Sequence, residues 1–106
     1  MGFPLRGTYM PVTPISPETP RVKVLFTVAK KRFKRANRRN LLKRRMRESW
    51  RPIKGELYTK LEEMNLHIEL SINYITNDEL DFTTISKGME KLLGKVIKGL
   101  QSNKAV

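Results

Sequence analysis

The sequence predicts an α+β fold: a two-layer sandwich of a small sheet with packed helices. Three observations carry this expectation. Residues 66–75 alternate apolar and polar side chains at period two, and residues 22–29 do the same. Residues 82–100 repeat apolar side chains at spacings of three and four. At 106 residues the chain has one domain's length, so these elements must share one core, and 1–106 reads as a single domain.

Residues 1–12, MGFPLRGTYMPV, read as a first strand. Pro4 and Pro11 place it at a sheet edge, because proline brings no ladder donor. Residues 13–20, TPISPETP, hold three prolines and read as a loop. In the second strand, Val22, Val24, Phe26 and Val28 share one face; Lys23, Leu25, Thr27 and Ala29 share the other. Residues 30–37 are basic and expected to be irregular.

From Arg38 to about Trp50 the chain is built of helix formers without Gly or Pro. Pro52 should end or bend that helix, since the residue before proline is pushed out of helical space. Residues 53–64 resume a weaker helical pattern on Ile53, Leu57, Leu61 and Met64. The third strand, 66–75, sets Leu66, Ile68, Leu70, Ile72 and Tyr74 against His67, Glu69, Ser71 and Asn73. Asn77-Asp78-Glu79 forms a turn.

The last helix is expected from about Phe82 to Leu100, with Asp81 or Thr83 as its N-cap. Ile85, Met89, Leu92, Val96 and Leu100 point inward, and Lys87, Lys91, Lys95 and Lys98 point out. The tail from about residue 102 should fray. Phe26, Phe33 and Trp50 are assigned to the core.

The chain has no cysteine, which excludes disulfides and thiolate metal sites. No apolar run approaches the ~20 residues of a membrane span, and the N-terminus lacks a signal-peptide layout. The expected protein is soluble and cytoplasmic, with no membrane partner. The sequence holds no paired histidines and no glycine-rich phosphate loop, so no protein-borne active site is expected. His67 is alone on the polar face of a strand and reads as structural. Glu62-Glu63 and Asp78-Glu79-Asp81 read as solvated acids.

Charge is the informative quantity. The net formal charge is +12. Residues 30–51 carry twelve bases and one acid, whereas residues 52–106 carry seven bases and eight acids. Such a concentration calls for a polyanion or for abundant solvent. The pattern within the run favours the polyanion. At about 100° per residue, with Arg39 at the origin, Lys43, Arg47, Asn40 and Arg44 fall between about 40° and 140°. Leu42, Met46 and Trp50 form an adjoining apolar stripe from about 300° to 20°. A disordered tail has no reason to separate charge from apolar residues.

Arg39, Lys43 and Arg47 also stack like charges at i, i+4, which opposes helix formation unless an anion compensates. Arginine makes forked contacts to phosphate. The candidate phosphate-binding residues are therefore Arg39, Asn40, Lys43, Arg44 and Arg47, with Lys30, Lys31, Lys34 and Arg35 in the preceding loop; the resemblance below makes them candidate RNA-binding residues. Size and charge alone also fit a ribosomal-type structural RNA-binding protein. They fit less well a DNA-binding module with its basic helix in the major groove, because no second helix sits at a tight turn just upstream.

The segment FTVAKKRFKRANRRNLLKRRMRESWR resembles the signature of the bacterial ribonuclease P protein: a strand, a Lys-Lys pair, then a helix of pattern R-N-x-x-K-R-x-x-R. Arg39, Asn40, Lys43, Arg44 and Arg47 fill that pattern. Thr27 and Lys31 match the family's strand-end serine and second lysine. Phe33-Lys34-Arg35-Ala36 looks like the Bacteroidetes branch.

The resemblance implies the family's sandwich, with a left-handed β-α-β crossover contrary to the general rule. It implies an RNA-binding subunit of an endoribonuclease that removes the 5′ leader of precursor tRNA, with no catalytic residues on the protein. Its partners would be the catalytic RNA and the precursor tRNA leader, without an obligate protein partner. No cofactor would be bound by the protein alone, and Mg2+ would be held by the RNA.

A cleft between the basic helix and the sheet would hold the single-stranded leader, with Thr27 and Leu25 as its floor. Phe3 and Tyr9 are the aromatic candidates for stacking on bases. Three departures stand out. The family usually carries a helix ahead of its first strand, and this chain opens at or near that strand, so either a miscalled gene start or a truncated protein is expected. Leu41 replaces a common second arginine, and Ala29 a common serine.

Overall fold

Two strands, β1 (Leu5–Val12) and β2 (Val22–Val28), flank a third, β3 (His67–Tyr74), in the order β1-β3-β2. This comes from a computed structural model that describes residues 3–104. β1 runs antiparallel to β3, from Leu5 opposite Tyr74 to Val12 opposite His67. β2 runs parallel to β3, from Val22 opposite Ile68 to Val28 opposite Tyr74. Parallel neighbours need a long connection between them. Here it is α1 (Ala36–Trp50) followed by α2 (Lys54–Met64). The last element is α3 (Phe82–Lys104).

The central position of β3 follows from its composition. Ile68, Leu70, Ile72 and Tyr74 are all buried, and the strand is paired on both sides. β1 lies at an edge, where Pro11 removes no bond that the sheet requires. Against the buried face, α1 packs on β2 and α3 on β1, and the two helices also pack on each other. The core joins Leu42, Met46 and Trp50 of α1 to Ile85, Met89, Leu92 and Val96 of α3. Phe26 meets Trp50 edge to face at 6.2 Å, and Phe33 meets Tyr74 in the same manner at 5.9 Å.

Two glycines permit the close approach of α3 to β1. A Cβ on Gly7 would lie 3.0 Å from the methyl carbons of Leu92. A Cβ on Gly99 would lie 2.7 Å from the Tyr9 hydroxyl. Tyr9 therefore packs under α3.

The termini of the elements differ from the sequence expectation in particular places. α1 begins at Ala36, two residues early, because Ala36 and Asn37 continue the helix without a breaker. Ala29 leaves β2 to form a turn, its carbonyl accepting from the amides of Arg32 at 3.0 Å and Phe33 at 3.3 Å. Leu66 leaves β3 to close α2: Asn65 adopts φ 55°, and the Leu66 amide donates to Leu61 O at 2.9 Å. That is a Schellman closure, with asparagine as the left-handed residue. α3 continues to Lys104 where fraying was expected from about 102, since Ser102-Asn103-Lys104 holds no helix breaker. The rest of the expected frayed tail, and the first two residues of the expected first strand, lie outside the described residues.

Candidate nucleic-acid interface

Burial of Leu42, Met46, Ser49 and Trp50 fixes the rotation of α1 about its axis. The Ser49 hydroxyl is satisfied within the helix by donating to Met46 O at 2.8 Å. Asn40, Arg44 and Arg47 consequently face solvent, with Lys43 half-buried beside them. Arg44 pairs with Glu48 one turn on, at 3.1 Å, with both side chains largely exposed. No acid occupies the first turn of α1 and no side chain caps it. Its positive dipole end thus sits next to Lys34 and Arg35 instead of the usual carboxylate. Lys30, Lys31, Lys34 and Arg35 are all exposed in the loop before the helix.

Arg39 behaves differently from its neighbours. It lies at the boundary of the apolar stripe and is half-buried. Its Nη1 donates to Phe33 O at 2.8 Å and Lys34 O at 3.0 Å, which pins the basic loop to the helix. On the opposite flank, three arginines that the sequence pattern did not single out hold the turn before α3. Arg38 bridges Glu79 at 2.9 Å, Arg45 donates to Leu80 O at 2.7 Å, and Arg32 donates to Asn77 Oδ1 at 3.0 Å. Helical angle alone could have found two of them, since Arg38 and Arg45 fall at about 240–260° on the wheel, beyond the apolar stripe.

That turn is itself highly organised. Tyr74 donates its hydroxyl to Asp78 O at 2.5 Å and accepts from the Leu80 amide at 3.0 Å. Burial pushes the phenol above its ordinary value, against the opposing pull of the Leu80 amide. Asp81 caps α3 by accepting from the Thr84 amide at 2.9 Å. Its hydrogen bonds with Thr84 hold the carboxyl below its ordinary value. Of the two expected N-cap candidates, Asp81 and Thr83, the structure uses Asp81; Glu79, expected to be merely solvated, pairs with Arg38. His67 has the expected structural role, its Nδ1 lying 3.0 Å from Pro20 O.

The seam between α1 and the sheet, where the resemblance places a leader cleft, is filled. Leu42, Met46 and Trp50 occupy it as part of the core. The open surface is the other face of the sheet. There a concavity of about 750 Å3 is lined by Thr8, Tyr9 and Met10 of β1, Lys23, Val24 and Leu25 of β2, and Glu69, Leu70 and Ser71 of β3; of these Tyr9, Val24 and Leu70 alternate onto the helix-covered face, and the other six turn their side chains to the open one. Leu25 and Met10 are 60% and 61% exposed. Thr27 lies on the same face, its hydroxyl bonded to Asn73 Oδ1.

Of the leader candidates, Leu25 and Thr27 thus share a surface. Tyr9 borders the concavity, but the period-two alternation turns its side chain to the opposite face, under Gly99. Phe3 precedes β1 and is exposed. Lys23, Thr8 and Met10 were not among the candidates. Their signal is the same alternation, which sets them beside Leu25 once the strand order is known.

Comparison with known proteins bears on this arrangement. The family model for Ribonuclease P matches residues 6–97. The ribonuclease P protein component of two Porphyromonas gingivalis strains is 34% identical over 80 residues, covering 76% of this chain and 58% of the relative. That of Chlorobium phaeobacteroides is 38% identical over 69 residues, covering 60% of this chain and 47% of the relative. The chain therefore spans about half the length of the curated relatives it matches. No solved structure matches. The matched span runs from β1 through most of α3 and includes the whole cationic helix, so this chain belongs to the Ribonuclease P family.

Proposed function

We propose that this chain is the RNA-binding protein subunit of a ribonuclease P holoenzyme and assists a catalytic RNA in removing the 5′ leader from precursor tRNA. The observation that carries this is the polar face of α1, with Asn40, Arg44 and Arg47 exposed and Lys43 half-buried beside them, on a helix whose other side is locked into the core. Rigidly held cations contact phosphate without first being ordered, so the entropy loss on binding is smaller. The loop bases Lys30, Lys31, Lys34 and Arg35 extend the same surface past the positive end of the helix dipole.

The leader is assigned to the open face of the sheet. Leu25 and Met10 offer apolar contact to bases there, and Lys23 a charge for the backbone. Magnesium is taken to be held by the RNA partner, and the site of action to be the cytoplasm. Among the described residues, no helix is long and apolar enough to cross a membrane. The connection from β2 through α1 and α2 to β3 is taken as left-handed, as the family resemblance implies.

The test is reconstitution with a bacterial ribonuclease P RNA at low magnesium. Addition of the chain should accelerate cleavage of a leader-bearing precursor tRNA. Unchanged cleavage at saturating protein would sink the proposal, and co-purification with ribosomal subunits at high salt would point to a ribosomal-type role instead.

A further inference from the structure

The near-neutral second half of the chain conceals a separation of charge. Residues 52–81 carry two lysines and seven acids, whereas residues 82–104 carry five lysines and one acid, Glu90. Four of those lysines share one side of α3. With Lys87 at the origin, Lys98, Lys91 and Lys95 fall at about 20°, 40° and 80°. The buried Ile85, Met89, Leu92, Val96 and Leu100 fall opposite, between about 140° and 220°. The four lysines are all exposed, and the ridge runs about 16 Å along the helix.

Like charges at i, i+4 oppose helix formation, and here Lys87, Lys91 and Lys95 repeat that spacing twice. Among the described residues Lys87, Lys91 and Lys98 form no ion pair, whereas Lys60 of α2 has Glu63 at 3.9 Å. α1 and α3 pack on each other against the same face of the sheet, and Arg44 and Arg47 of α1, like the four lysines of α3, are exposed. Packed helices have axes about 8–10 Å apart. Each of the two helices therefore presents exposed cations to solvent.

We propose that the lysine ridge of α3 is a second contact for the phosphate backbone of RNA, beside the surface on α1. This rests on the RNA-binding function proposed above. Lysine is a point charge on a flexible stem, and it suits sequence-independent contact to phosphates better than forked recognition of any one group. A membrane surface is the poorer partner. A helix that lies on lipid needs its apolar side free, and that of α3 is buried in the core.

The test measures binding of the full chain to a bacterial ribonuclease P RNA across a salt series. Two double variants are compared: Lys91→Gln with Lys98→Gln, and Arg44→Gln with Arg47→Gln. Each pair should lower the slope of log affinity against log salt by about 1.4–1.8, and the effects should add. Lys91→Arg with Lys98→Arg should retain the parent slope. Circular dichroism should be unchanged throughout, since all four positions are exposed.

A parent slope in the α3 pair, alongside a reduced slope in the α1 pair, overturns the ridge and leaves the α1 surface standing. Parent slopes in both pairs overturn both. Binding to phosphatidylserine vesicles that depends on Lys91 and Lys98, with RNA binding unchanged, also overturns the ridge as an RNA contact.

Discussion

Arg39 reaches back over the loop that precedes its own helix, and its guanidinium donates to the Phe33 carbonyl at 2.8 Å. It is thus both part of the cationic surface and the strut that sets the basic loop. Charged hydrogen bonds contribute about 1.5–3 kcal/mol when shielded, and less at a half-buried site. Arg39→Ala should cost about 1–2 kcal/mol of stability as well as RNA affinity. Arg44→Ala loses only an exposed i, i+4 pair, worth about 0.3–0.5 kcal/mol, and should reduce affinity with an almost unchanged Tm. Thermal melts of the two variants beside their salt-dependent binding check the contrast. Equal Tm values would remove the strut.

The physics that made some features legible in the sequence explains why others were not. Strand and helix periods identified β2, β3, α2 and α3, because burial of one face imposes them, as in Ile68, Leu70, Ile72 and Tyr74. The cationic helix was legible for the same reason: Leu42 and Met46 fix which side faces water. Strand order and layer assignment are long-range outcomes that no local period encodes. That is why the concavity appeared on the face opposite α1, and why Tyr9 joined the core while Lys23 joined the open face. Helical angle sets Arg38 and Arg45 apart from the cationic face, but what they bind was hidden, because their partners Glu79 and Leu80 lie 41 and 35 residues away.

Glycine substitutions should separate close packing from helix propensity. At Gly7 a new Cβ meets Leu92 at 3.0 Å in a packed layer, so Gly7→Ala should destabilise by about 1–3 kcal/mol. At Gly55 in α2 nothing lies within 4 Å of the added atom. Gly55→Ala should therefore stabilise by about 0.4–1 kcal/mol through the unfolded chain. Urea midpoints measured for both should shift in opposite directions, and a shift of the same sign would contradict the packing of α3 on β1.

Tyr74 predicts an alkaline limit to stability. Its phenol is neutral and buried, and its folded value is raised above the ordinary value of 10.0. The folded state keeps a proton that the unfolded state gives up. The contribution is therefore full below about pH 10 and lost as pH rises through the raised value. Tyr74→Phe removes the bonds to Asp78 O and the Leu80 amide, and should cost about 1–2 kcal/mol at neutral pH. The variant should also lose stability less steeply above pH 10. Denaturant titrations of both proteins from pH 7 to 11 read the difference, and parallel curves would mean that the phenol does not titrate differently on folding.

The leader assignment can be tested by setting Leu25 against Tyr9, two residues proposed from sequence for the same cleft and placed by the fold on opposite faces of the sheet. Leu25 is 60% exposed, so Leu25→Asp should change stability by less than about 0.5 kcal/mol. A carboxylate beside Glu69 would repel phosphate and remove apolar contact with bases. Loss of one such base contact is worth about 1–3 kcal/mol, so the preference for leader-bearing over leaderless precursor should fall roughly ten-fold or more. Tyr9→Ala should behave in the opposite way. It empties the space under Gly99 and lowers Tm, while leaving that preference near its parent value at temperatures where the variant is folded. Competition binding of the two precursors to the reconstituted complex discriminates the outcomes. If Tyr9→Ala erased the leader preference and Leu25→Asp did not, the leader would lie elsewhere than on the open face of the sheet.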